Sequence, residues 1–325
     1  MAIYIYLTHL PGYKARSLHL TTKEEADAFI SSQESNQFIP EAKRITFEPL
    51  GKAESVLQNQ RLFVNSQFDS FGFSEGADCK DLDLSPLALS SFRSLGIHNK
   101  SVLSNKTFPT LNGVEELIIG KPADDIDLSK FPNLKVLRVL EWNQKIHFSN
   151  GKNVSLITIG GFKSNRDAFQ QLHAFRDASE LVLNKTSCVD LQGIEILQRL
   201  KKLKINYASK LENIRSISGL HNLTDVMFEF CKKINDYSAL GACRQLSRIV
   251  ISNCGNISSL DFLTHLKNLR ELVILETSIS DADLSVLDKL KDRGVRVRPE
   301  IKGSGMPQNG DGVRSHIPTI EKLIR

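Results

Sequence analysis

The stretch LKKLKI at 200–205, followed by LTDVMF at 223–228, LSRIVI at 246–251 and LRELVI at 269–274, decides the fold of this chain. Each is one phrase, apolar-x-x-apolar-x-apolar, and the middle residues Leu203, Val226, Ile249 and Leu272 fall 23 residues apart. A fixed interval of that size marks an architecture in which one short unit recurs and stacks on its neighbours. Toward the N-terminus the phrase recurs as ASELVL centred on Leu181, VSLITI on Ile157, LKVLRV on Leu137, VEELII on Leu117 and FRSLGI on Leu95, at intervals of 22, 24, 20, 20 and 22 residues. Toward the C-terminus a weaker copy, DRGVRV, centres on Val295, again 23 residues on.

The end of each phrase alternates like a short strand, so its middle and last apolar residues share one face. A lone strand cannot bury that face. Stacked copies can: their strands join into a parallel sheet, the apolar residues fill one continuous interior, and the backbone groups bond to the next coil. The segments between strands, such as SISGLHNL at 216–223, YSALGACRQL at 237–246 and DFLTHLKNL at 261–269, space their leucines for short helical turns, too brief for long helices. The spacing therefore predicts an α/β solenoid with a parallel sheet on a concave face and short helical or 3-10 segments outside.

Three residues after the last apolar strand position, successive copies carry Thr186, Ala208, Cys231, Cys254 and Thr277. All are small, and the expectation is a ladder of buried side chains turned toward loop backbone. That gives Cys231 and Cys254 a structural role. Cys188 and Cys243, between strands, are expected to pack, and none of the five cysteines, Cys79 included, forms a C-x-x-C pair.

Upstream, FDSFGF at 68–73 fits the phrase with phenylalanines, while AKRITF at 42–47 and ARSLHL at 15–20 fit loosely, at intervals widening to 24, 26 and 27 residues. Two readings fit the first 80 residues: irregular repeat-like capping units, or a small α/β cap with a strand near 3–7 and a helix near 22–33, for which Thr22 and Glu25 make a capping box. The expected division is a cap of irregular repeat-like α/β units over 1–80, a solenoid over 81–300 and a flexible tail over 301–325. The tail begins with turn formers, GSGMPQNGDG at 303–312, and IPTIEKLIR at 317–325 suits a short helix.

Lys plus Arg number 42 against 37 Asp plus Glu, a formal charge of +5 spread along the chain, which does not nominate nucleic acid. The start has no basic residue ahead of its short apolar stretch and no run approaches a membrane span, so a cytoplasmic protein without a membrane association is expected. The scattered, odd cysteine set suits a reducing compartment. Neither G-x-x-x-x-G-K-[ST], H-E-x-x-H nor G-x-S-x-G occurs, so no catalytic residue, cofactor or metal is assigned. Asp124, Asp125 and Asp127 lack the spacing of a calcium loop, and His98, His147, His173, His221 and His265 lack partners at ligand or triad spacing.

If the phrase sets the pleat, its third, fifth and seventh residues face away from the interior. The third column then holds Glu180, Lys202, Asp225, Arg248 and Glu271, and the seventh Asn206, Glu229, Ser252 and Leu275. The fifth runs Ile118, Arg138, Thr158, Val182, Lys204, Met227, Val250, Val273 and Arg296, an exposed row with several apolar members. Tyr207 and Phe230 follow on adjacent coils, aromatic groups beside mixed charge of the kind protein interfaces use as anchors. The candidate partner surface comprises Glu180, Val182, Lys202, Lys204, Asn206, Tyr207, Asp225, Met227, Glu229, Phe230, Arg248, Val250, Ser252, Glu271, Val273 and Leu275; cross-strand packing is the other reading of its apolar members. A second surface is the basic cluster Lys289, Lys291, Arg293, Arg296 and Arg298, suited to an acidic partner or nucleic acid, or to a solvated end.

The phrases ISGLHNL at 217–223 and SSLDFLTHLKNLRELVILETSISD at 258–281 resemble the repeats of internalin-like bacterial leucine-rich-repeat proteins, and the outer segments look like the short repeats of the SDS22-like subfamily. The resemblance covers roughly 88–300. It implies a leucine-rich-repeat solenoid that recognises proteins through its concave face, as a non-catalytic interaction module. No export signal or wall-sorting motif is read in the sequence, so a departure from secreted internalins is expected. Cytosolic bacterial repeat proteins of similar appearance include immunity proteins that accompany toxins, which implies a toxin as one class of partner.

Overall fold

The computed structural model describes residues 4–9, 16–21, 44–47, 70–73, 93–97 and 108–301, apart from 122–124, 144, 146, 164–167 and 281–283. The chain opens with an antiparallel pair, β1 (Tyr4–His9) and β2 (Arg16–Thr21). It continues with β3 (Arg44–Phe47), β4 (Ser70–Phe73), β5 (Ser94–Ile97), β6 (Glu116–Ile119), β7 (Ile126–Asp127), β8 (Val136–Val139), β9 (Phe148–Ser149) and β10 (Leu156–Gly160). The last six strands are β11 (Glu180–Asn184), β12 (Lys202–Asn206), β13 (Asp225–Glu229), β14 (Arg248–Ser252), β15 (Glu271–Thr277) and β16 (Arg296–Ile301). From β3 onward, all but β7 and β9 form a single twelve-stranded sheet in chain order, with parallel neighbours throughout. β7 and β9 pair with each other.

The repeat phrase sets this register. Leu95, Leu117, Leu137, Ile157, Leu181, Leu203, Val226, Ile249 and Leu272 lie on successive rungs, each the ladder partner of the next. The phenylalanine-bearing and loose copies upstream join the same column, Ile45 opposite Phe71 and Phe71 opposite Leu95. The sheet thus runs without a break from Arg44 past residue 80. The copy centred on Leu18 is no rung: Leu18 pairs with Leu7 in the antiparallel β1–β2 ladder, because a preceding strand close in sequence offers a hairpin partner that a coil does not. The helix expected near 22–33, Cys79, His98 and the tail beyond Ile301 lie outside the described residues.

The last coil is also shifted from its expected place. Val297, not Val295, faces Leu272, so the final interval is 25 residues rather than 23. The cause lies in the connection. Other coils cross the far side by 3-10 turns, at Ile194–Ile196, Arg215–Gly219, Ser238–Ala242 and Asp261–His265 among them. The final connection instead contains an α-helix, α1 (Ser285–Asp292), burying Val286, Leu287 and Leu290. An α-helix rises less per residue than a 3-10 turn, so the same span consumes more chain. Gly294, at φ 79°, ends α1 in a left-handed cap, with its N–H on Lys291 O at 2.8 Å and that of Val295 on Leu290 O at 3.0 Å.

Side chains fix where the 3-10 turns start. Asp190, Asn213, Asp236 and Ser259 each accept from the backbone N–H two residues on, at 2.9 to 3.0 Å, and so begin the turn before each segment. In a shorter coil Asp127 does the same for Ser129 and also accepts from Asn150, and these hydrogen bonds lower its pKa to about 2. An asparagine ladder tightens the opposite corner: Asn133, Asn153, Asn222 and Asn268 each donate to a carbonyl of the preceding coil at 2.7 to 3.1 Å. Each stands one residue before the first apolar position of its phrase.

The interior is one apolar cluster from Leu95 to Val295, with Leu203, Ile205, Val226, Phe228, Ile249, Ile251 and Leu272 fully buried. Where the repeat interval is irregular, aromatic rings fill the space: Trp142 lies 5.5 Å from both Phe148 and Phe162, and Phe162 lies 5.1 Å from Phe169. The small-residue ladder forms as its spacing predicts, with Thr186, Ala208, Cys231, Cys254 and Thr277 all at most 6% exposed. Cys231 Sγ donates to Ile205 O and Cys254 Sγ to Phe228 O, both at 3.5 Å, tying each coil to its predecessor. Burial pushes the Cys243 thiol up to about 11, and Cys231 is raised too, chiefly by its hydrogen bond with Cys254, so neither is a ready thiolate.

Candidate interaction face on the open side of the sheet

The solvent face is built by the residues that alternate with the buried ones, and the burial pattern of β11 and β13 shows it directly: half-buried, buried, half-buried, buried, half-buried. In the third column the side chains alternate in sign from rung to rung: Glu180, Lys202, Asp225, Arg248, Glu271 and then Arg296. Lys202 Nζ meets Glu180 at 2.7 Å, which holds its ammonium above the ordinary lysine range, and Arg248 bridges Asp225 at 3.3 Å and Glu271 at 2.8 Å. Arg296 follows at 3.7 Å from Glu271, so the shifted last coil moves it from the expected fifth column into the third, and Arg298 takes the fifth.

Such a ladder pins rung against rung more than it stabilises. Single exposed pairs contribute little, but Arg248 serves two carboxylates whose side chains are only 20% and 23% exposed. Arg248→Met is expected to lower stability by about 1 kcal/mol at low salt, and by less at 1 M salt, where the screening length is about 3 Å. Thermal melts at the two ionic strengths measure this; an equal loss at both contradicts an ionic role.

The fifth column departs from the expected exposed row. Val182, Lys204 and Met227 are half-buried, but Val250 is 1% and Val273 7% exposed, and in the seventh column Asn206 and Ser252 are 3% and 5% exposed. These four side chains are short, and Val250 and Val273 lie one outward position along from the longer, paired Arg248 and Glu271. Pleat alternation sets which way a side chain points but not whether its neighbours overtop it. Glu180, Lys202, Tyr207, Asp225, Glu229, Phe230, Arg248, Glu271 and Leu275 keep exposed surface.

The strand ends supply the most unusual geometry. Lys185, Tyr207, Phe230, Asn253 and Glu276, on five consecutive rungs, all have left-handed backbone, with φ between 47° and 56°. This conformation turns the chain away from the sheet while the N–H groups of Lys185, Tyr207, Phe230 and Asn253 still bond to the next rung at 2.8 to 3.0 Å. Asparagine tolerates it; bulky aromatic residues rarely adopt it, and each pays roughly 1–2 kcal/mol. Tyr207 and Phe230 nevertheless occupy it side by side, with rings stacked at 4.6 Å and 8°. Beside them burial raises the carboxyl pKa of Glu229 above its usual range.

The basic cluster at the C-terminal end is largely engaged locally. Lys291 pairs with Asp288 at 2.8 Å, Arg293 donates to Leu266 O and Lys267 O at 2.9 and 3.1 Å, and Arg296 faces Glu271; Lys289 and Arg298 are exposed. His221 and His265 sit exposed on matching turns, and Asp125 accepts from the His147 backbone at 2.8 Å. Among the described residues no group of three or more His, Cys, Asp or Glu is placed to hold a metal ion, and no helix is long and apolar enough to cross a membrane. The asparagine ladder escaped the sequence reading, although the recurrence of Asn before the first apolar residue of the phrase is a signal that could have found it.

No family model matches the chain, and no curated protein sequence matches it. Solved structures do. The crystal structure of the mouse RP105/MD-1 complex contains a chain similar over 80% of this one and 50% of its own length, at a TM-score of 0.52 and 14% identity. An internalin, InlF, from Listeria monocytogenes is similar over 78% of this chain and 71% of its own, at 0.48 and 14%. Internalin C2 from the same organism is similar over 60% and 76%, at 0.38 and 20%. Identities this low speak to architecture alone, and on that point the likeness to the mouse complex agrees with the parallel rungs and their regular interval: the chain has the leucine-rich-repeat fold.

Proposed function

We propose that the protein is a non-catalytic scaffold that captures another protein on the open face of its sheet, centred on β12 to β14. The observation that carries this reading is the Tyr207–Phe230 stack. Two aromatic side chains are held half-exposed on strained backbone, where a polar residue or glycine fits more easily, and strain kept at a surface points to use. Met227 lies on β13, the strand that Phe230 follows, and the charged third column borders Met227 on its other side, an apolar anchor beside a polar edge. The alternating ladder gives that rim a sign pattern a partner can match.

The resemblance to immunity proteins makes a toxin one class of partner, and co-expression with a toxin encoded beside this chain is the direct check. The basic C-terminal end favours nucleic acid less, since three of its five cations already have local partners. Immobilised protein should retain a specific partner from native lysate, identified by mass spectrometry. Met227→Asp and Phe230→Asp are each expected to weaken retention by about 2 kcal/mol or more, with unchanged circular dichroism. Undiminished capture by both folded variants contradicts the reading.

A further inference from the structure

Between β12 and β13 the seventh column holds more hydrogen-bond acceptors than donors. Asn206 is 3% exposed, and its Nδ2 donates to Asn184 Oδ1 at 2.9 Å. Its own Oδ1 is buried with no hydrogen-bond partner. The next rung places Glu229 opposite Asn206, and Ser252 opposite Glu229. Among the described residues Glu229 has no salt bridge, and the third-column cations bond within their own column. Lys202 is held by Glu180, Arg248 by Asp225 and Glu271, and Lys232 lies 6.0 Å over the Phe230 ring. A buried acceptor without a donor, beside a half-buried carboxyl without a cation, is costly to keep in the free protein.

We propose that this notch is a subsite for a guanidinium group, an arginine side chain presented by the partner protein, which bonds to the Glu229 carboxylate and donates to Asn206 Oδ1. The inference rests on the open face being the partner surface. The chemistry selects arginine. Its flat fork donates in more than one direction and so serves acceptors on adjacent rungs, which are about 4.8 Å apart in a sheet. It is always charged, is more weakly hydrated than an ammonium, and its plane lies well against aromatic rings such as Tyr207 and Phe230. Asn206 Oδ1 is closed to solvent, so the guanidinium meets Glu229 first and reaches the second acceptor as that side chain moves with it. The upward displacement of the Glu229 pKa by burial fits a carboxylate that lacks its counter-ion.

Titration of the full-length protein with N-acetyl-arginine amide, followed at the Asn206 side-chain amide and the Glu229 carboxyl carbon by NMR, tests this. Saturable shifts at both are expected, with the neutral N-acetyl-citrulline amide binding about tenfold or more weakly. Saturation with the arginine probe should lower the Glu229 pKa, and binding should fade as pH falls and the carboxylate protonates. Glu229→Gln keeps the shape and should weaken the arginine probe about tenfold or more. Equal binding of the two amides, unchanged binding to Glu229→Gln, or a silent Asn206 amide overturns the proposal. Capture of a partner without these responses removes the guanidinium subsite and leaves the scaffold; the responses without any capture do the reverse.

Discussion

Phe228→Ala lowers stability by about 3–5 kcal/mol, the largest effect expected of any truncation in the central rungs. Phe228 is fully buried, and its ring meets Tyr237 edge-on at 5.7 Å, with Tyr237 in turn 6.4 Å from Phe262. Phe228 and Tyr237 belong to one coil and Phe262 to the next. Removing the Phe228 ring leaves a void that the sheet cannot close, because the β12 and β14 ladders fix the backbone on both sides of β13. In a stacked array the loss falls on the altered coil and its interfaces, so unfolding should become less cooperative rather than simply earlier. Hydrogen exchange is expected to show β12 to β14 losing protection while β6 and β8 keep theirs. A uniform loss across the sheet contradicts nearest-neighbour stacking.

Gly160→Ala is the second large effect, about 1–3 kcal/mol. Gly160 ends β10, with Trp142 N–H on its carbonyl at 2.8 Å. An added Cβ falls onto the carbonyl oxygen of Leu140 and lies 2.9 Å from its carbonyl carbon. Those atoms are backbone, so no side-chain rotation relieves the clash, and β8 and β10 must part at that end. Chemical denaturation measures the loss. A variant as stable as the parent shows that the two strands do not approach this closely.

The rungs were legible in the sequence because burial of alternate residues imposes an interval that nothing else in the chain imitates. The register from Leu95 to Leu272, the 3-10 turns over 215–265 and the small-residue ladder follow from it. What escaped depends on geometry between coils. Val295 and Val297 both suit an apolar column, and only the extra chain taken up by α1 selects Val297. ARSLHL has the spacing of a rung, yet a nearby strand claims it for a hairpin. Of the candidate face, the columns were readable but their exposure was not. Val250, Val273, Asn206 and Ser252 point outward and are nevertheless covered, whereas Met227 and Phe230 are not. The alternation from Glu180 to Arg296 was visible as letters, but a ladder of ion pairs requires the rungs to be in register.

Distances between spin labels placed in one column test the stacking most directly. With one label at Arg298 and the other in turn at Met227, Lys204, Val182 and Arg138, the separations cover three, four, five and seven rungs. The account predicts distances that grow steadily by about 4.8 Å per rung, to roughly 34 Å for the longest pair. Separations that fail to rise with rung number, or that place Arg138 nearer to Arg298 than Val182, contradict it.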